Sequence, residues 1–303
     1  MSKTKAERSF CNDSRYVDMI VPGSASQALA AAVAKAQSIP LATVHYQQFP
    51  DGERLCRVAD FDSDTAVIIG SAESDRAWVE LLQLQDAVRE AGAERVVTVI
   101  PYMSYARQDQ AFKFGEPNSA RAMARAVSTT TDHIILIDPH EDNLDSYFDV
   151  PVNIYSTAHL LADALPTTLC DPLFLAPDAG AVELATCVRD SYGSGKTDYF
   201  LKTRHSGEEV DLTTRDTELS DRDVVVVDDI IATGSTLSQA VDLLNDAGAS
   251  RVFATCIHPL LVQNARTKLE AAGVEQIIAT DTLERDVSVV SAAPVIGAFL
   301  EGS

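Results

Sequence analysis

Val224-Val225-Val226-Val227-Asp228-Asp229-Ile230-Ile231-Ala232-Thr233-Gly234-Ser235-Thr236 is the stretch that decides the fold. Four consecutive valines read as a short strand buried on both faces, as in a parallel sheet. Two carboxylates stand at its C-terminal end, and a turn of small residues, Ala232 through Thr236, follows. Beyond it Leu237, Ala240, Val241 and Leu244 share one face of an amphipathic helix. Strand, acidic pair, loop and helix N-terminus together suit a phosphate, because first-turn N–H groups lack partners and the helix dipole favours an anion. Thr233, Ser235 and Thr236 add hydroxyl donors. A phosphate alone would not favour two carboxylates nearby, whereas a polyhydroxylated phosphate ester accompanied by a metal ion would. The competing reading is an ordinary strand ending in a helix capped by Asp229 or Ser235.

Outward from this stretch, strand and helix patterns alternate. Strands are expected at 16–21, 42–46, 54–58, 66–69, 95–100, 133–137, 173–176, 199–202, 252–257 and 276–279. Helices are expected at 24–37, 76–91, 118–127, 157–164, 179–189 and 260–272. Such alternation implies parallel sheets covered by helices on both faces. A faint repeat runs through the pattern. Ala91-Gly92-Ala93-Glu94-Arg95-Val96 is matched by Ala247-Gly248-Ala249-Ser250-Arg251-Val252, each a helix end with glycine as cap and then a strand. One strand earlier in the first copy, Ser71-Ala72-Glu73-Ser74 replaces the acidic pair and glycine loop. The expected organisation is therefore an extension at 1–14 and two similar α/β domains at 15–155 and 156–303, only the second with a working phosphate loop.

Composition narrows the class. The chain has 303 residues, enough for two domains, and its 46% apolar content supplies their cores. No stretch approaches the ~18 uninterrupted apolar residues of a membrane span. The polar N-terminus lacks the apolar core of a signal peptide. Five scattered cysteines, with no C-x-x-C, read as free thiols of a cytoplasmic protein. A formal charge of −21 argues against nucleic-acid binding. It suggests adaptation to high salt, where screening weakens self-repulsion. Gly193-Ser194-Gly195-Lys196-Thr197 imitates the end of a P-loop, but Asp190 stands where that motif needs glycine. The segment reads as a flexible linker.

The stretch around Asp228 resembles the 5-phosphoribosyl diphosphate (PRPP) signature of phosphoribosyltransferase-fold proteins. The first half adds stretches that resemble the ribose-phosphate pyrophosphokinase family in particular. They are Phe49-Pro50-Asp51-Gly52-Glu53, the 101–109 run Pro-Tyr-Met-Ser-Tyr-Ala-Arg-Gln-Asp, Phe112-Lys113-Phe114-Gly115-Glu116-Pro117, Asp138-Pro139-His140 and Ala176-Pro177-Asp178-Ala179-Gly180. The resemblance covers residues 16 to the end. It implies two phosphoribosyltransferase-like domains and transfer of a diphosphoryl group from ATP to ribose 5-phosphate, giving PRPP and AMP, with Mg2+ as cofactor. It assigns ATP contacts to Phe49, Asp51, Gly52, Glu53, Arg107 and Gln108. It assigns the ribose 5-phosphate to Asp228, Asp229, Ala232, Thr233, Gly234, Ser235 and Thr236, with Arg204. Metal contacts fall on His140 and Asp178, and the catalytic cations on Lys202 and Arg204, with His205 behind them. On an extended strand residues i and i+2 point the same way, so Lys202 and Arg204 can clasp one phosphate group. The polar stretch 205–223 suits a mobile loop or ribbon. The family forms homo-oligomers, which the resemblance extends to this chain. Two other readings are a noncatalytic regulatory subunit, which should have lost Lys202, Arg204 or His140, and a PRPP-consuming phosphoribosyltransferase, which should lack the ATP motifs.

Overall fold

The computed structural model describes residues 19–141, 143–206, 209–214 and 219–302, with side chains outside the description for 201–214 and 302. The extension at 1–14 and the start of the first expected strand lie outside the described residues.

The chain builds two α/β layers. The first sheet has five strands in the order β1 (Met19–Pro22), β4 (Thr65–Ile69), β5 (Arg95–Ile100), β6 (His133–Ile137) and β7 (Val152–Tyr155), all parallel. Between β1 and β4 an antiparallel hairpin, β2 (Thr43–Gln48) and β3 (Arg54–Ala59), stands apart from this sheet. The second sheet has seven strands in the order β10 (Glu209–Thr214), β9 (Lys196–Ser206), β8 (Leu173–Ala176), β11 (Asp223–Ile231), β12 (Arg251–Pro259), β13 (Val274–Thr280) and β14 (Ser288–Val290). Only β10 is antiparallel to its neighbour. Seven α-helices are present among the described residues: α1 (Gln27–Gln37), α2 (Asp75–Glu90), α3 (Ser119–Val127), α4 (Val182–Tyr192), α5 (Ser235–Asp246), α6 (Ala265–Ala271) and α7 (Ala293–Gly302).

The valine run behaves as its composition demands. Val224 through Val227 are at most 1% exposed, with β8 on one side and β12 on the other. Removing side chains of this kind from water contributes roughly 1.5–3 kcal/mol each, which fixes β11 at the centre of its sheet. On α5 the stripe Leu237, Ala240, Val241 and Leu244 is the buried face, as its spacing predicts. The paired glycine caps also take one geometry. Gly92 and Gly248 both have positive φ, 111° and 88°. The next residue closes the helix in each case, Ala93 N donating to Val88 O at 2.9 Å and Ala249 N to Leu244 O at 3.0 Å.

Several expectations need correction. The 193–197 segment is not a flexible linker. Gly193 ends α4 in the left-handed region, and Lys196 and Thr197 already belong to β9, in register with Leu173 and Phe174. Gly195 has φ +102°, and a Cβ there would come within 2.4 Å of the Pro172 carbonyl, so the glycine permits a close approach to β8. The helix expected at 157–164 is a 3-10 segment, Ala158–Ala164. The helix expected at 260–272 starts only at Ala265. The preceding residues pair with the end of β11 and the start of the loop after it instead, Leu261 N donating to Ile231 O at 2.9 Å and Val262 N to Ala232 O at 3.1 Å. β7, β14 and α7 were not anticipated from the sequence. α7 returns to the first layer, where Ala292, Ala293 and Ile296 join Ile20, Leu29 and Val33 in one core cluster.

Candidate functional site

The carboxyl ends of β11 and β6 face each other across the junction of the two layers. This is where open α/β sheets hold ligands. At the end of β11, Asp228 Oδ1 accepts from Asp229 N at 3.0 Å, and Asp229 Oδ1 accepts from Ile230 N at 2.8 Å. The other carboxylate oxygen, Asp229 Oδ2, meets His140 Nδ1 at 2.5 Å. Nδ1 is the donor here, because a carboxylate only accepts.

The electrostatics follow from this geometry. Burial and then the neighbouring charge of Asp229 push the Asp228 carboxyl well above its usual range, with the Asp178 charge adding to the effect. Burial also raises Asp229, but the hydrogen bond and charge of His140 outweigh it and hold that carboxyl below its usual range. The hydrogen bond to Asp229 raises His140, against the opposing effect of burial. Two adjacent carboxylates thus differ in acidity because only one accepts a hydrogen bond from His140.

His140 is placed by a rigid approach. Asp138, at the end of β6, has φ +39°, in the left-handed region that non-glycine residues seldom adopt. Its side chain accepts from Thr157 N and Thr157 Oγ1, each at 2.7 Å. Its carbonyl accepts from His258 Nε2 at 2.8 Å. His258 is 1% exposed, and its Nδ1 lies 2.9 Å from Thr282 Oγ1. Burial lowers its basicity, and Nε2 carries the proton that the Asp138 carbonyl accepts. Ser71 of the first layer also donates to the Thr282 carbonyl. A buried polar seam therefore ties the two layers together beneath the site.

The 232–236 loop, the expected phosphate site, has an open helix end. Gly234 is the N-cap of α5, with φ +69° and no side-chain cap bond, so neither Asp229 nor Ser235 plugs the helix end. Gly234 packs on α6, where an added Cβ would meet Ala265 O and Leu269 Cγ at 3.3 Å. Thr233, Ser235 and Thr236 are exposed. Sequence reading missed one residue at this loop. Lys268 of α6 donates to Ser235 Oγ at 2.7 Å and to Thr233 O at 3.1 Å. Its only signal in the sequence was a lysine on a helix following the loop.

The other expected residues fall as follows. Asp178 ends β8, exposed, accepting from Gly180 N at 2.9 Å. Arg107 lines a cavity of about 80 Å³ with Tyr102, Pro139, His140, Ile230 and His258. That is too small for a nucleotide, whose pockets run to ~300 Å³ and more. Gln108 is occupied at the start of α3, donating to Pro117 O at 3.2 Å and accepting from Ser119 Oγ at 3.1 Å. Phe49, Asp51, Gly52 and Glu53 form the tip of the β2–β3 hairpin, where Gly52 has φ +98° and Gly52 N donates to Phe49 O at 2.9 Å. Among the described residues, no hydrogen bond or ion pair joins this tip to Arg107 or Gln108. Lys202 and Arg204 lie on β9 in register with Leu212 and Val210 of β10, which makes the expected ribbon. Their side chains, and that of His205, lie outside the described residues.

Comparisons with known proteins agree with this layout. Residues 19–130 match the model for the N-terminal domain of ribose phosphate pyrophosphokinase, and residues 153–291 match the phosphoribosyl transferase domain. A ribose-phosphate pyrophosphokinase of Halobacterium salinarum is 52% identical over 279 residues, covering 92% of this chain and 99% of its own. One from Methanothermobacter thermautotrophicus is 41% identical over 281 residues, covering 92% and 98%. The crystal structure of phosphoribosylpyrophosphate synthetase from Mycobacterium smegmatis superimposes with a TM-score of 0.79 at 27% identity, over 93% of this chain and 97% of that one.

Proposed function

The chain belongs to the ribose-phosphate pyrophosphokinase family, and from that premise we propose how its own residues carry the reaction. It transfers the β,γ-diphosphoryl group of ATP to the 1-hydroxyl of ribose 5-phosphate, giving PRPP and AMP. The observation that carries the residue assignment is the open N-terminus of α5 beside the Asp228–Asp229 pair. In this reading the 5-phosphate sits on the 232–236 loop, held by the unpaired first-turn N–H groups and the hydroxyls of Thr233, Ser235 and Thr236. Asp228 and Asp229 accept from the ribose hydroxyls.

The chemistry requires little covalent help from the protein. The anomeric hydroxyl attacks the β-phosphorus in line, the bond from that phosphorus to the AMP oxygen breaks, and AMP leaves. Positioning and charge neutralisation lower the barrier. Lys202 and Arg204, two apart on β9, supply the cations beside the transferred group. Phe49, Asp51, Gly52, Glu53, Arg107 and Gln108 take the ATP. Asp51 and Glu53 suit the adenine amino group, and Arg107 suits the phosphates or the ring face.

The residues fit magnesium held mostly by substrate phosphate and water. Asp228 is pushed up partly by the charges of Asp229 and Asp178, a crowding that a cation relieves. Among the described residues no group of three His, Cys, Asp or Glu side chains is placed to hold a metal ion by itself; magnesium in general keeps much of its hydration. His140 and Asp178 would hold the ion, which supplies charge neutralisation at the triphosphate. With Nδ1 of His140 donating to Asp229, Nε2 remains for the metal or its water.

The acidic composition fits a protein working in concentrated salt, and the similarity to the Halobacterium salinarum enzyme supports that reading. No described helix is long and apolar enough to cross a membrane, and the described cysteines are free thiols, in keeping with a cytoplasmic enzyme. The two-domain division at 155 and 156 and assembly into a homo-oligomer belong to the same proposal. The test is an assay with ATP, Mg2+ and ribose 5-phosphate in dilute buffer and in molar KCl, scoring AMP and PRPP together. Equal amounts of both products are expected, with the greater rate at high salt. AMP without PRPP would refute the acceptor, and folded protein that binds ribose 5-phosphate yet yields no product would favour a regulatory subunit.

A further inference from the structure

We propose that Lys268 is a positioning residue of the phosphate loop, aiming the Ser235 hydroxyl at the ligand and giving the loop its positive charge. The proposal rests on the assignment of the 232–236 loop to the 5-phosphate. Ser235 Oγ accepts from Lys268 Nζ at 2.7 Å and from Thr233 Oγ1 at 3.3 Å. An ammonium only donates, and a hydroxyl oxygen has two lone pairs. With both lone pairs engaged, the Ser235 proton is directed away from Lys268 and Thr233, towards whatever occupies the loop.

A phosphate dianion entering this loop approaches Asp228 and Asp229, and the loop residues themselves carry no cation. Among the described residues, Lys268 is the one cationic side chain hydrogen-bonded to the loop. It forms no ion pair among those residues, although the chain has 45 acidic residues to its 24 lysines and arginines. The ammonium goes instead to two neutral oxygens of the loop. A lysine near the end of a short helix could merely complement the helix dipole. That role would call for no contact with Ser235.

α6 backs the loop directly through the contact of Gly234 with Ala265 and Leu269, and Leu261 and Val262 hold the loop main chain on the same side. Lys268 therefore reaches the loop from a fixed platform, with its head preset for the anion before the anion arrives.

The test is calorimetric titration of ribose 5-phosphate into the full chain without ATP, for wild type, Lys268→Met, Lys268→Arg, Ser235→Ala and the double variant Lys268→Met/Ser235→Ala. Losing one charge-assisted hydrogen bond should weaken Lys268→Met roughly tenfold. KM for ribose 5-phosphate should rise by a similar factor with KM for ATP unchanged, and Lys268→Arg should recover most of the loss. If Lys268 acts through Ser235, the two single losses exceed the loss in the double variant when added. Lys268→Met binding within twofold of wild type, or fully additive losses, would overturn the proposal. A parallel rise in both KM values that arginine does not restore would make Lys268 structural and overturn it too. If wild type itself fails to bind ribose 5-phosphate, the assignment of the loop is what fails.

Discussion

The β4–α2 turn of the first layer and the β11–α5 turn of the second follow equivalent strands and end differently. In the first, the strand stops at Ile69, and Ser71 and Ala72 are buried at once. Ser74 then caps α2, accepting from Ala77 N at 3.3 Å. The N-terminus of α1 is filled as well, its first N–H groups at Ala28 and Leu29 donating to Glu284 at 2.7 and 3.0 Å. In the second layer, β11 runs on to Ile231, carries Asp228 and Asp229 beyond the end of its pairing with β8 while the strand stays paired with β12, and delivers α5 with no side-chain cap. One scaffold thus has two uses. Where the chain supplies its own oxygen, the helix end is structural. Where it withholds one, at α5, the first-turn N–H groups have no side-chain cap and are proposed to take the 5-phosphate.

That contrast can be broken at several points. The largest effect is expected at Asp229, which accepts from His140 Nδ1 and is proposed to face the sugar. Asp229→Ala should lower turnover by about 100-fold or more in the AMP and PRPP assay, with the urea midpoint little changed. An active Asp229→Ala enzyme would mean that the acidic pair is as structural as the turn it replaces.

Asp223, at the base of the same strand, should affect stability instead. It is 1% exposed and bonded to Arg251 at 2.6 Å and to Cys170 N at 2.7 Å. Burial alone would raise its carboxyl, but Arg251 and the Cys170 amide hold it below the usual range. Its folded pKa is therefore depressed. The stability it adds is present above the unfolded value of ~3.9 and is lost as pH falls through the folded value. Asp223→Asn should cost about 2 kcal/mol in urea melts at neutral pH. The gap from wild type should narrow below pH ~4. A gap that stays constant with pH would contradict the ion-pair account.

The shared helix ends sharpen the comparison from its common side. Gly92→Ala and Gly248→Ala should each cost about 1 kcal/mol, because both force a Cβ into positive φ. Similar losses in thermal melts would support one inherited geometry, and a loss at only one site would argue against it. The smallest effect is expected at Ser74, whose cap bond is long. Ser74→Ala should cost about 0.5 kcal/mol in urea melts and leave turnover unchanged.

Much of this was legible in the sequence where local rules apply. The valine run, the α5 stripe and the paired glycines each read correctly because burial on both faces, helical period and positive φ are written in adjacent residues. What was missed depends on distant contacts. His140 and Asp229 meet from 89 positions apart, and the Asp138–His258 bond spans 120, so no local pattern announces either pair. Lys268 is ordinary until α6 is seen to back the loop. The 260–272 helix was overextended because its apolar pattern continues through residues whose main chain is taken by the loop. Gly195 reads as flexibility because its reason, the Pro172 carbonyl, lies 23 residues away, just before β8.

The most direct test of the account is a crystal structure with ribose 5-phosphate bound. The account predicts phosphate oxygens within hydrogen-bond distance of the backbone N–H groups at 233–236, with ribose hydroxyls on Asp228 and Asp229. A phosphate seated elsewhere, with the α5 N-terminus bound only by water, would contradict it.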